Sequence, residues 1–168
     1  STISGTFDLT TGGPVTDAGT LEITGKTTIN AGSNAVTLDE AASDFGTVSI
    51  TGTIVEVLDE NTIDLGDSTA TGTYKVTATD GNITDSGTLT VGSSATDYAT
   101  FITSANNRTI TLDEGDHAFK GSLKITTNAA GSDTTGDVKI SAGSGVALDF
   151  AVSTIAGDLI VASSFVPV

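Results

Sequence analysis

Cysteine, methionine and tryptophan are absent from this chain, proline occurs twice, and aromatic residues make up 5% of it. Without cysteine there is no disulfide staple. With so few large side chains the core must be built from Val, Ile, Leu and Ala, and the β-branched bias favours strands over helices. Basic residues are scarce too: six Lys plus Arg face 21 Asp plus Glu, a net charge of -15. That balance opposes phosphate backbones and anionic lipid, so nucleic acid is not an expected partner. No run reaches the roughly 18 apolar residues of a membrane helix, so membrane insertion is not expected either.

What the chain does contain is 20 glycines and an abundance of Thr, Ser, Asp and Ala in 168 residues, enough for one domain with a substantial core. Such acidic, cysteine-free composition is common in large exported bacterial proteins, for which disulfides would hinder secretion of an unfolded chain. The expected location is therefore extracellular or at a bacterial cell surface. Ser1 is not a start Met and no apolar leader segment follows it, which suggests a processed product or a piece of a longer parent.

The organising pattern is a repeat. Val15-Thr16-Asp17-Ala18-Gly19-Thr20-Leu21-Glu22-Ile23 returns as Ile83-Thr84-Asp85-Ser86-Gly87-Thr88-Leu89-Thr90-Val91, at a constant offset of 68. Other phrases return at changing offsets. Ser4-Gly5-Thr6-Phe7 is echoed near Gly72-Thr73-Tyr74 at 67, so the chain begins inside a repeat, and Val36-Thr37-Leu38-Asp39-Glu40 returns as Ile110-Thr111-Leu112-Asp113-Glu114 at 74. Val55 and Val57 match Val138 and Ile140 at 83, and Gly72-Thr73-Tyr74-Lys75-Val76 matches Gly157-Asp158-Leu159-Ile160-Val161 at 85. The growing offset places insertions near residues 93–98 and 127–135, between super-repeats at about 15–82 and 83–163 of a single domain, 1–168.

Between these landmarks, runs of 5 to 7 residues alternate aliphatic with polar and end on Gly, Asn, Asp or Ser, as in Thr47-Val48-Ser49-Ile50-Thr51. Period two puts the aliphatics on one face of a strand. Recurring strands with one apolar face and short corners predict a right-handed parallel β-helix of about seven coils, about 35 Å long at the spacing of hydrogen-bonded strands. Tandem immunoglobulin-like sandwiches are the alternative, with Gly72 to Gly81 as a late hairpin. The short period, the brief strands and the lack of an anchoring core aromatic weigh against them.

The stretch from Gly19-Thr20-Leu21-Glu22-Ile23-Thr24-Gly25 to Ile29-Asn30-Ala31-Gly32, followed by Ala35-Val36-Thr37-Leu38-Asp39 and Asp44-Phe45-Gly46-Thr47-Val48-Ser49-Ile50-Thr51-Gly52, resembles the repeat of filamentous-haemagglutinin-type exoproteins. The resemblance covers most of residues 4–92 and, more loosely, 108–163. It implies a non-catalytic shaft segment of a large bacterial adhesin or surface filament, whose neighbours are flanking coils of a parent chain. An extracellular fibre subunit stacking end to end is the alternative, with Phe165, Val166 and Val168 as candidate end-to-end contacts. A polysaccharide-binding or polysaccharide-degrading β-helix is the third class.

Asp39-Glu40, Asp59-Glu60 and Asp113-Glu114 form acidic pairs at strand ends, where carboxylates are expected to be solvated. The motifs of polygalacturonases are missing, no Gly-x-Ser-x-Gly elbow precedes a helix, and no catalytic residue is expected. His117, in Asp113-Glu114-Gly115-Asp116-His117, lacks the ligand spacing of an EF-hand or a calcium-binding roll, so neither metal nor cofactor is expected and an acidic corner is. Thr-x-Thr pairs such as Thr88/Thr90 do not extend into an ice-binding array, because Glu22, Asp39, Asp64, Lys75 and Lys124 interrupt it. The insertions are the strongest candidates for contact with a host or matrix glycan, with Tyr98, Phe101, Asn128 and Asp133 as the residues; the competing role for the aromatics is to fill a widened coil.

Overall fold

The computed structural model describes residues 1–128 and 135–163. Short strands follow one another: Thr2–Ile3 (β1), Phe7–Thr10 (β2), Val15–Thr16 (β3), Glu22–Asn30 (β4), Val36–Leu38 (β5), Asp44–Gly52 (β6), Val55–Asp59 (β7), Ile63–Leu65 (β8), Ser68–Ala70 (β9), Tyr74–Ala78 (β10), Ile83–Asp85 (β11), Leu89–Val91 (β12), Tyr98–Thr103 (β13), Ile110–Leu112 (β14), Ala118–Phe119 (β15), Ser122–Thr126 (β16), Val138–Ala142 (β17), Asp149–Phe150 (β18) and Leu159–Ser163 (β19). Each pairs in parallel with strands one coil away. This is a parallel β-solenoid of about seven coils, with no helix among the described residues.

Two sheets make three faces. A bent 12-stranded sheet forms the first face, through β8, β11, β14, β17 and β19, and the second, through β9, β12 and β15. The nine-residue strands β4 and β6 span both faces, and β6 pairs with β8 near its middle and with β9 at its end. The third face is the 7-stranded sheet of β3, β5, β7, β10, β13, β16 and β18.

Alternation explains why the stack closes. Inward positions are Val, Ile, Leu, Ala and Phe, and columns such as Val36, Val55, Tyr74 and Ala99 lie in register, all of them buried. Each buried branched aliphatic side chain contributes about 1.5–3 kcal/mol relative to exposure. Backbone donors and acceptors are satisfied by the coils on either side, which is what lets such short strands persist.

Coil size is not uniform. Successive partners Val15, Val36, Val55 and Tyr74 are 21, 19 and 19 residues apart, whereas Tyr74 to Ala99 takes 25, Ile83 to Ile110 takes 27 and Ile110 to Val138 takes 28. The larger coils enclose more space, and aromatics fill it. Tyr74 and Phe101 lie 6.1 Å apart between ring centroids, Phe101 and Phe119 6.2 Å, and His117 and Phe119 5.8 Å.

The register also shows where the echoing phrases fall on the solenoid. Three coils carry Val15 to Tyr74 on the third face, but the echo of Val15 is Ile83, which begins the next first-face strand. The same displacement applies to Val36 and Ile110, to Val55 and Val138, and to Tyr74 and Leu159: in each pair the earlier residue lies in the 7-stranded sheet and the later one in the 12-stranded sheet. The echo is three coils plus one face. The structural unit is thus the single coil.

Tyr74 tests the polar cost of this core. Its hydroxyl is buried beside Ser68 without a hydrogen bond of good geometry, and burial, only partly offset by Ser68, pushes it up to about 12. Removing an unpaired buried hydroxyl spares its desolvation, so Tyr74→Phe is expected to leave stability unchanged or raise it by up to about 1 kcal/mol in urea denaturation.

Candidate functional site

The corners of the solenoid use side chains to continue hydrogen bonding where the strand ladder breaks. Asp17 sits just after β3, and its Oδ1 accepts the Asp39 N–H at 3.0 Å while its Oδ2 accepts the Glu40 N–H at 3.4 Å, one coil on. Asp85, at the end of β11, repeats the device with Asp113 N–H at 3.0 Å and Glu114 N–H at 3.1 Å. The Thr-Asp and Leu-Asp-Glu phrases of the sequence are therefore the two halves of one corner lock. Related bonds run from Thr88 N–H to Asp67 at 2.8 Å, from Thr109 N–H to Asn82 at 3.0 Å and from Asp158 N–H to Asp137 at 2.9 Å. Much of the acidity of this chain holds coils together rather than merely facing water.

The second lock contains the histidine. His117 Nδ1 accepts the Leu89 N–H at 3.0 Å, which leaves the ring proton on Nε2, donated to Asp85 Oδ2 at 2.7 Å. Both side chains are fully buried, so His117 turns inward from a corner whose residues 113–116 are exposed. Burial works to raise the Asp85 carboxyl, but the His117 hydrogen bond and the two backbone donors outweigh it and hold it below the usual carboxylate range. A histidine and an aspartate at this distance resemble part of a catalytic array, yet packed inside the solenoid they meet no solvent. Among the described residues no group of three or more His, Asp or Glu is placed to hold a metal ion.

Asp59 also departs from expectation, because it is buried rather than solvated. The reason is geometric: its Oδ2 accepts Phe45 N–H at 2.7 Å and its Oδ1 accepts Asn61 N–H at 2.8 Å, so its carboxyl is drawn inside the corner. Burial pushes it up to about 6, only partly offset by those two donors. Its folded-state value lies above the unfolded one, so the folded chain takes up the proton first and stability falls as pH rises from about 4 through about 6. The wild-type advantage over Asp59→Asn is therefore expected to be larger at pH 5 than at pH 7 by about 1 kcal/mol, read from urea midpoints at both pH values.

The insertion candidates separate. Gly92, at φ +87, turns the chain out of β12, and Asp97 Oδ2 then accepts the N–H groups of Ser93 at 2.7 Å and Ser94 at 2.8 Å. These donors hold the Asp97 carboxyl below its usual range. This self-capped turn delivers Tyr98 to the surface, 48% exposed. Phe101 points the other way and is fully buried, so it offers nothing to a partner and takes the coil-filling role. Asn128 is 8% exposed and holds a left-handed backbone, φ 56, which makes it a corner residue rather than a contact surface. Asp133, Phe165, Val166 and Val168 lie outside the described residues.

Sequence reasoning did not anticipate what surrounds Tyr98. On the third face Thr37, Glu56, Lys75, Thr100 and Lys124 are successive register partners. Beside them run Ile54, Thr73 and Tyr98, each one place before a register partner. Between the two rows lies an open cleft of about 400 Å³. Lys75 Nζ donates to Glu56 Oε1 at 2.7 Å, while Lys124 has no ion-pair partner among the described residues. The signal that could have found the cleft was the outward spacing of Tyr98, Thr100 and Lys124, but only the coil register makes them neighbours.

A family model described as repeats of unknown function, DUF5649, matches residues 1–52 and again 51–126. Comparison with curated proteins and with solved structures returns no match.

Proposed function

We propose, from the premise that the chain belongs to the DUF5649 family of repeats of unknown function, that it is a non-catalytic shaft segment of an exported bacterial adhesin or surface filament. The observation that carries this reading is the continuous buried cluster from Ile23 to Ile140 within a solenoid of about seven coils, with the acidic pairs at 39–40 and 113–114 engaged through their backbone in corner locks. Ladder bonds and aliphatic stacks resist bending, and excess carboxylate keeps neighbouring rods apart. Ion pairs between coils, Lys75 with Glu56, Arg108 with Asp80 and Lys139 with Asp113, are surface features worth little each. The resemblance to filamentous-haemagglutinin-type repeats and the cysteine-free composition support an exported location.

Antibody labelling of intact producing cells tests the location, and small-angle scattering of the purified chain tests the shape. A surface signal removed by external protease, together with a rigid elongated particle, is expected. A cytosolic signal, or release of product from acidic or neutral polysaccharides, overturns the reading.

End-to-end stacking is favoured by a separate feature. The interior of the first coil opens into a cleft of about 600 Å³ lined by Phe7, Leu9, Val15, Leu21, Ile29 and Leu38. At the opposite end Leu159, Ile160 and Val161 are 44%, 56% and 47% exposed. If two such apolar surfaces meet, the contact is head to tail and does not close on itself. Sedimentation velocity decides: concentration-dependent growth supports the fibre subunit, and a strict monomer at high concentration removes it.

A further inference from the structure

A shaft has no use for an exposed aromatic beside a free ammonium, and the third face presents both. Tyr98 and Ile54, 48% and 50% exposed, wall one side of the cleft of about 400 Å³, while Lys75, Thr100 and Lys124 supply the other. We propose that this cleft binds a uronate-bearing oligosaccharide, with a sugar ring seated on Tyr98 and its carboxylate held by Lys124.

The chemistry follows from what converges there. An exposed tyrosine offers a flat apolar surface with a polar rim, matching the C–H face and hydroxyl edge of a pyranose ring. The cleft volume lies within the range of about 300–1,000 Å³ typical of small-ligand sites. Glu56 and Lys75 pair at 2.7 Å, and Lys124 is the cation of the cleft lining that has no ion-pair partner among the described residues. The nearest acidic side chain in the Tyr98 row is Asp149, one coil beyond Ser122, and it accepts the Ser122 hydroxyl at 2.9 Å. One unpaired ammonium suits one carboxylate. A densely sulfated chain or a nucleic acid would instead meet the field of a protein carrying a net charge of -15. Thr100 and Thr73 add hydroxyls to the lining, able to donate to or accept from sugar hydroxyls.

Uniformly nitrogen-15-labelled full chain, titrated with a galacturonate tetramer and separately with the neutral galactose tetramer, tests the assignment. Saturable shifts are expected at the amides of Tyr98, Thr100 and Lys124 with the acidic tetramer, weakening as salt is raised. Tyr98→Ala and Lys124→Gln should each lower affinity by roughly tenfold, a loss within the range of single contact residues. Both side chains are at the surface, so circular dichroism and melting should be unchanged in the two variants. Tyr98→Phe should keep most of the binding. No saturable shift, equal affinity for the neutral tetramer, tighter binding of a sulfated oligosaccharide, or shifts centred elsewhere overturns the proposal. None of these results alters the shape or the surface location on which the shaft reading depends.

Discussion

Asp85→Asn is expected to lower stability by about 3–5 kcal/mol, the cost of breaking a buried hydrogen-bonded pair. Asp17→Asn, the same substitution in the sister lock, should cost about 1 kcal/mol, the net worth of an ordinary hydrogen bond. Sequence alone makes the two positions equivalent, since each stands in a Thr-Asp-small-Gly-Thr-Leu phrase. Their surroundings differ. Asp17 accepts two backbone N–H groups at a partly exposed corner, where water can replace a lost partner. Asp85 accepts two backbone N–H groups and the His117 Nε2 proton with a fully buried side chain. An amide there turns one acceptor into a donor facing donors. His117 cannot answer by moving its proton, because Nδ1 already accepts from Leu89. Urea denaturation of both variants beside the wild type gives the comparison, and similar losses would show that burial does not set the strength of the lock. The pH dependence carries an independent signature. With the Asp85 carboxyl held low in the folded state, its contribution is complete above about pH 4 and is lost as pH falls below that value, so the penalty of the variant should shrink on acidification. Asp59 moves the opposite way between pH 7 and 5.

The architecture was legible in the sequence because period-two alternation and short punctuated runs have few other solutions. The all-β class, the parallel stack and about seven coils all follow from it. The assignment of runs to faces was not legible, and the reason is physical. All three faces demand the same inward aliphatic and the same corner residues, so Val36-Thr37-Leu38-Asp39-Glu40 on the third face and Ile110-Thr111-Leu112-Asp113-Glu114 on the first obey one local rule in two places. A match between such phrases reports a shared corner, not a shared column. The same limit explains Asp59 and His117, whose polarity alone points outward while their backbone partners draw them in. Tyr98 and Phe101 are three positions apart and so fall on opposite sides of one strand, which alternation did contain. What it could not contain was Lys124 beside Tyr98, a neighbour supplied by the coil above.

Phe101→Ala should be the most damaging core substitution, with an expected loss of about 3–5 kcal/mol. Phe101 is fully buried in β13, with Val76 one coil below and Ile125 one coil above in register. It also bridges Tyr74 on one side and Phe119 on the other, at 6.1 and 6.2 Å between ring centroids, and Phe119 in turn meets His117. This chain of rings fills the interior where the coils lengthen from 19 to 25 residues and beyond, and Val76 and Ile125, fixed in their own strands, fill only part of the space an alanine leaves. The position should therefore resist collapse and retain nearly the full cavity cost. Phe101→Leu, which restores much of the volume, should lose only about 1–2 kcal/mol. Val57→Ala, in the same column but within a narrow coil, provides the control: its smaller cavity should cost less than that of Phe101→Ala. Equal losses at the two sites, measured by denaturant midpoint, would mean that the widened coils close over the gap. In that case the aromatics would be passengers of the insertion at residues 93–98 rather than the support that makes room for it.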